Sequence, residues 1–152
     1  MATTQRAAVD RRAGSHDKLQ TLLETRTETL TIFSQLAGMR PYNTNRELQL
    51  LVQEFCEVLV DYTASAHFQL YRYIEEGVER RTDVRDLAEK IYPNIAASTR
   101  FILDFNEKYD CEDHCDNLSE LDRDLSKLGE ILADRFTFED QIIAAMTTPI
   151  NT

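Results

Sequence analysis

Apolar residues recur along most of the chain at alternating spacings of three and four, the mark of helices that bury one face. Leu19, Leu22, Leu23, Leu30, Phe33 and Leu36 define the inward side of a first helix, from about His16 to Ala37. Gly38 follows as its C-cap and Pro41 as a stop. A second helix starts near Asn45 and runs to about Glu76, ending at Gly77, along a seam of Leu48, Val52, Phe55, Leu59, Tyr62, Ala66 and Tyr73. The third begins after Thr82 as N-cap and turns Val84, Leu87, Ile91, Ile95, Ile102 and Phe105 inward. Pro93 is expected to kink or divide it near Tyr92. The polar loop KYDCEDHCDN leads to a fourth helix over about residues 117–147, with Leu118, Leu121, Leu125, Leu128, Leu132, Ile142 and Met146 inward. Long helices joined by short loops predict an all-α, antiparallel four-helix bundle.

Composition supports that pattern. Only four Gly and three Pro occur among 152 residues, which argues against a turn-rich β-sandwich. Residues 1–15, MATTQRAAVDRRAGS, are basic but lack an apolar h-region. They are expected to form a flexible tail ahead of one bundle domain over residues 16–148. No apolar run approaches the roughly 20 residues of a membrane helix, so a cytoplasmic location is expected.

Charge narrows the partners. The formal charge of −10, from 27 acidic against 17 basic side chains, repels nucleic acid, whose phosphates require clustered Lys and Arg. A basic partner would instead be steered inward, although the same acidity also serves solubility.

Two sets of residues break the helical pattern. On a wheel of the second helix, Glu57, Asp61, Ala64, Ser65, Phe68, Arg72 and Glu75 share the outward strip. Phe68 thus lies in the middle of a face that should be polar. Either it is a tolerated apolar residue, alone or covered by another element such as the tail, or it is an aromatic anchor beside an acid, suited to an apolar and basic partner helix. His67 and Tyr71 fall on the flank of the buried half. Arg26, Arg135 and Glu139 fall on inward stripes, where charges persist only when paired. They imply either a structural polar network or a ligand or catalytic pocket.

Metal and cofactor chemistry finds little support. No Glu-x-x-His pair exists for a di-iron centre, since Ala64 and Cys111 stand three before His67 and His114. Cys111, His114 and Cys115 fall one ligand short of a four-ligand structural zinc site and lack its usual spacing. Three cysteines without a secretion signal read as reduced thiols rather than as a disulfide framework. Phosphate-binding glycine loops and Ser-nucleophile motifs are also absent. We expect no metal, no cofactor and no enzymatic activity.

Phe55, Cys56, Leu59, Val60, Asp61, Tyr62, His67, Phe68 and Tyr71, spaced as F-C-x-x-L-V-D-Y and H-F-x-x-Y, resemble the signature of the Rsd/AlgQ anti-sigma factors, the bacterial regulators of sigma D. Arg26, the L-A-G-M-R-P run to Pro41, Ile91 with Pro93, and the run of Arg135, Phe136, Glu139 and Asp140 extend the resemblance over roughly residues 17–146. The resemblance implies a helical protein that sequesters the primary sigma factor of RNA polymerase through its region 4, blocking contacts with the promoter −35 element and the core enzyme. It implies partner contacts at Asp61 and Phe68, and on the helical wheel Ala64, Ser65 and Arg72 line the same face. Contact with an HPr-type phosphocarrier belongs to some members. Arg72 departs from the pattern, standing where relatives carry Glu, and Ala64-Ser65-Ala66 replaces their Ser-Ala-Gly. The rival readings are a bundle with a buried small-ligand or enzymatic site at Arg26, His67, Tyr71, Arg135 and Glu139, and a helical adaptor for a metabolic partner. Homodimerisation through the outward face would compete with any of these.

Overall fold

The computed structural model describes residues 2–72, 82–110 and 118–147, and the side chains of those from 19 to 146. Four α-helices make up the described structure, with no strand among the described residues. Helix α1 spans Ala2–Gly38, α2 Arg46–Ala66, α3 Thr82–Tyr109 and α4 Leu121–Thr147. The backbone of α1 starts well upstream of the apolar periodicity. Residues 2–15 continue the helix on Ala, Arg and Gln, which are strong helix formers.

Asn45 opens α2 as predicted. Its backbone is extended, at φ −135° and ψ 171°, and its Oδ1 accepts the Leu48 N–H at 2.8 Å. Beyond Ala66 the helix widens into a π turn over His67–Tyr71, closed by the Arg72 N–H donating to the His67 carbonyl. Tyr73 and the expected end of this helix at Glu76 and Gly77 lie outside the described residues, as do Cys111, His114 and Cys115.

Helix α3 passes through Pro93 without dividing, contrary to one of the outcomes expected from its sequence. The pyrrolidine ring removes one backbone hydrogen bond, but it faces solvent while Ile91 and Ile95 are buried on either side. Packing on both flanks holds the helix together.

The core runs along the predicted seams of α2, α3 and α4, from Leu48 and Val52 through Ile95 and Ile102 to Leu125 and Leu132. An aromatic file threads it: Phe33, Phe55, Phe105 and Tyr109 follow with ring-centre separations of 6.1, 5.9 and 4.7 Å. Helix α4 approaches α1 closely at Gly129, where a Cβ would meet the Phe33 ring at 2.7 Å. At the far end of α3, Lys108 donates to Asp124 at 2.7 Å and also pairs with Glu120, while the Tyr109 hydroxyl donates to Asp124 at 2.5 Å. A cation in the last turn of α3 thereby meets acids at the start of α4, as both helix dipoles favour.

Helix α1 departs from its predicted pattern. Leu22 and Leu36 are buried, but Leu23 and Leu30 are 40% and 44% exposed. The inward slots belong instead to Thr29, which is fully buried, and to Arg26. The Thr29 hydroxyl donates to the Thr25 carbonyl at 2.8 Å, so this polar side chain enters the core with its hydrogen bond made.

Candidate functional site

The outward strip of α2 is built as its spacing predicts. Asp61, Ala64, Phe68 and Arg72 are exposed and Ser65 is half-buried. Phe68 is 58% exposed, with the His67 ring set edge-on at 5.0 Å. An ideal wheel already turns Phe68 outward, and the π turn acts on the residues around it. An i→i+5 turn rotates each residue by less than the roughly 100° of an α-helix, which swings Leu70 and Tyr71 together onto the buried side. His67 is left in solvent rather than beside Tyr71.

Phe68 does not stand alone. It forms one wall of a cleft of about 470 Å³ between α2 and α3, with Val60 and Ala64 beside it and Tyr92, Ala96 and Leu103 opposite. Leu103 is 53% exposed, and Val60 and Tyr92 are exposed as well. The α3 wall was missed from sequence. Its signal was nevertheless present, because Tyr92 and Leu103 sit about three turns apart and off the inward stripe, as Phe68 does on α2. Four large exposed apolar side chains around one groove form a contiguous patch of the kind that marks an interaction surface.

Beneath the cleft lies a buried polar network. The Arg135 guanidinium is almost wholly buried on α4. Its Nε donates to the Tyr62 hydroxyl at 2.8 Å, and its Nη1 donates to Thr99 at 2.6 Å and Ser98 at 3.0 Å. Tyr62 and Tyr71 in turn donate to Glu139 Oε2 at 2.5 and 2.8 Å. Arg26 reaches over from α1, 3.7 Å from Glu139 Oε1 and 2.8 Å from Asp140. Arg26, Tyr71, Arg135 and Glu139 are therefore brought together, Tyr62 joins them, and His67 lies outside.

Electrostatics fixes the roles in this network. Burial raises both phenols far above their ordinary range, so Tyr62 and Tyr71 stay neutral and donate. Burial also pushes Glu139 up, opposed by the Tyr62 hydroxyl, Arg135 and Tyr71, with a net rise above the usual carboxylate value. Arg135 remains a cation, 3.5 Å from that carboxylate. Cys56 offers no reactive thiol, since burial lifts it to about 12. Among the described residues no group of three His, Cys, Asp or Glu side chains is arranged to hold a metal ion.

A signature residue on each face of α2, Phe68 in the cleft and Tyr71 in the network, now has a structural place. Residues 1–147 match the model of one protein family, described as "Regulator of RNA polymerase sigma(70) subunit, Rsd/AlgQ". The chain belongs to the Rsd/AlgQ family. Curated relatives named "Regulator of sigma D" agree with that placement. The Enterobacter sp. (strain 638) protein is 33% identical over 89% of this chain and 83% of its own length. The Yersinia enterocolitica protein is 32% identical over 86% of this chain and 80% of its own. The Shigella boydii protein is 33% identical over 88% and 86%. No solved structure matched significantly. Among the described residues, no helix is long and apolar enough to cross a membrane. As an Rsd/AlgQ protein, the chain joins a family described by its action on a sigma subunit, so the surface to explain is one for a protein partner.

Proposed function

We propose that this Rsd/AlgQ protein acts as an anti-sigma factor in the cytoplasm. It binds region 4 of a primary sigma factor and withholds it from the promoter −35 element and from core polymerase. It works by occupying a surface rather than by catalysis. The observation that supports this reading best is the open apolar cleft of α2 and α3, with Phe68 on its wall and Asp61 about two turns away on the same outward strip.

A DNA-reading domain presents basic residues to phosphates and carries an amphipathic helix. Such a helix would place apolar side chains between Phe68 and Leu103 and a cation against Asp61. Ala64 is small enough to let it approach, and Arg72 closes the strip at its C-terminal end. Ser65 borders the same face. Arg26, Tyr71, Arg135 and Glu139 serve the fold in this reading, holding α2 to α4 beneath the partner.

Isothermal calorimetry of the full chain with sigma region 4 tests the proposal. Phe68→Ala is expected to weaken binding by at least tenfold while the circular dichroism spectrum stays unchanged. Unaltered affinity in both Phe68→Ala and Asp61→Ala would remove sigma from this face.

A further inference from the structure

On the opposite side of the bundle, between α1 and α4, a second groove of about 560 Å³ opens around Leu19, Leu23, Thr27 and Ile143, with Glu24 and Glu28 among its lining. It exists because α1 breaks its own apolar pattern. Thr29 and Arg26 take the inward positions, so Leu23 and, two turns on, Leu30 are turned to solvent. We infer that this groove is a second docking site, which takes a basic amphipathic helix of another protein.

Three features argue for that occupant. The threonines of this face present methyl groups, because their hydroxyls are spent on their own helix. Thr27 donates to the Leu23 carbonyl at 2.9 Å and Thr31 to the Thr27 carbonyl at 2.9 Å. Covering them with an apolar side chain leaves no hydroxyl donor without a partner, so most of the usual cost of burying a hydroxyl does not arise. Next, Leu23, Thr27 and Leu30 follow one another at four and three residues, the spacing at which a partner helix interleaves its own apolar positions.

Charge then selects the partner's sign. Glu24 and Glu28 are exposed carboxylates one turn apart beside the groove, on a chain of net charge −10. A helix with Lys or Arg flanking its leucines gains from both. A second copy of this chain would bring Glu24 and Glu28 against Glu24 and Glu28, a like-charge juxtaposition that opposes self-association through this face.

The test uses the full chain and two synthetic amphipathic peptides of about five helical turns, identical in their leucine pattern, one with Lys and one with Glu at the polar positions. Fluorescence anisotropy measures affinity, and methyl NMR of the labelled protein locates the footprint. The Lys/Leu peptide is expected to bind at least tenfold more tightly than the Glu/Leu peptide, shifting the methyls of Leu23, Leu30 and Ile143. Leu23→Asp with Leu30→Asp should abolish the Ile143 shift while leaving any shift at Val60 and Leu103 in place, and the milder Leu23→Ala should weaken binding at this groove several-fold. All three changes are at exposed positions, and an unchanged melting temperature confirms the fold. A footprint on Val60 and Leu103 instead, equal binding of both peptides, or a dimer in sedimentation that Leu23→Asp dissolves would each overturn the inference.

Discussion

Phe68 and Tyr71 are three residues apart on one turn of helix, yet they live in opposite environments. Tyr71 points inward, where its hydroxyl and that of Tyr62 meet the Glu139 carboxylate, and Arg135 is shared among Tyr62, Ser98 and Thr99. Phe68 points outward into an open cleft whose walls are largely apolar. The inward side is polar and charge-paired, although Glu139 Oε1 makes no hydrogen bond and meets the Arg26 guanidinium only at 3.7 Å; the outward side is apolar and open. Each inverts the usual rule that apolar groups are hidden and charges exposed. An inverted interior is tolerable because its charges are paired. An inverted exterior persists at a cost in solubility unless a partner covers it, which is why we propose the outward side as the functional one.

Breaking the inward side should produce the largest effect. Arg135→Leu leaves Glu139 buried beside two phenols, with Arg26, partly exposed and 3.7 Å away, as its remaining cation. Removing one member of a buried pair costs about 3–5 kcal/mol, a large share of the stability of a small domain. Urea denaturation is expected to show a midpoint shift of that size. A loss below about 1 kcal/mol would mean that water or Arg26 replaces the guanidinium.

How far the two sides were legible in the sequence follows the same division. The helices and the core seams of α2, α3 and α4 were readable because periodicity reports packing directly, and one face of each carries apolar residues at regular spacing. The strip holding Asp61 and Phe68 was readable as a violation of that periodicity. What escaped was local or relational. The π turn has no compositional signature, so an ideal wheel placed both His67 and Tyr71 on the flank of the buried half, whereas His67 is exposed and Tyr71 is buried. The α3 wall belongs to the cleft only once the two helices are set side by side. Leu23 and Leu30 were misplaced because a threonine that donates to the carbonyl four residues back can outcompete leucine for a buried slot.

The outward side should break next, and only in binding. Phe68→Ala removes an aromatic anchor from a centrally placed groove, a loss of about 2 kcal/mol or more for a good hot spot. Leu103→Asp attacks the facing wall and should match it, since a carboxylate would be forced against the partner's apolar positions. Both residues are more than half exposed, so stability should move by no more than about 0.5 kcal/mol. Calorimetric titration with sigma region 4, paired with thermal melts, separates the two sides. Weaker binding with an unchanged melt is the expected result, whereas a loss of stability equal to the loss of binding would make these residues structural.

Asp61 sharpens the comparison at a smaller scale. It is exposed at the border of the cleft, so its attraction to a partner cation is screened by water and salt. Asp61→Asn should cost about 0.5–1 kcal/mol of affinity at low ionic strength, mostly through slower association, and less as salt is raised. Stopped-flow association at several salt concentrations reads this directly. A salt-independent loss appearing in the dissociation rate would place Asp61 in a desolvated contact instead.

The subtlest difference is a slope with pH rather than a fixed loss. Glu139 titrates above the ordinary carboxylate range because it is buried, so the folded state holds its proton more firmly than the unfolded chain does. Its contribution is fully present below the ordinary value and is lost as pH rises through the raised one. Asp124 has the opposite sign. Although burial pushes it up, hydrogen bonds from Lys108 and Tyr109 hold it below its usual value, so its contribution is lost as pH falls. Total stability therefore mixes the two, and a single pH profile cannot assign either. The difference between wild type and Glu139→Gln can, because Asp124 is common to both and cancels. Glutamine does not titrate, and it stands in for the protonated acid. Urea unfolding from about pH 4 to about pH 8 should show wild type losing ground to Glu139→Gln as pH rises through the window, then running parallel to it. A difference that is flat with pH, or that moves in wild type's favour, would mean the tyrosines and Arg135 outweigh burial and the carboxylate titrates at or below its ordinary value.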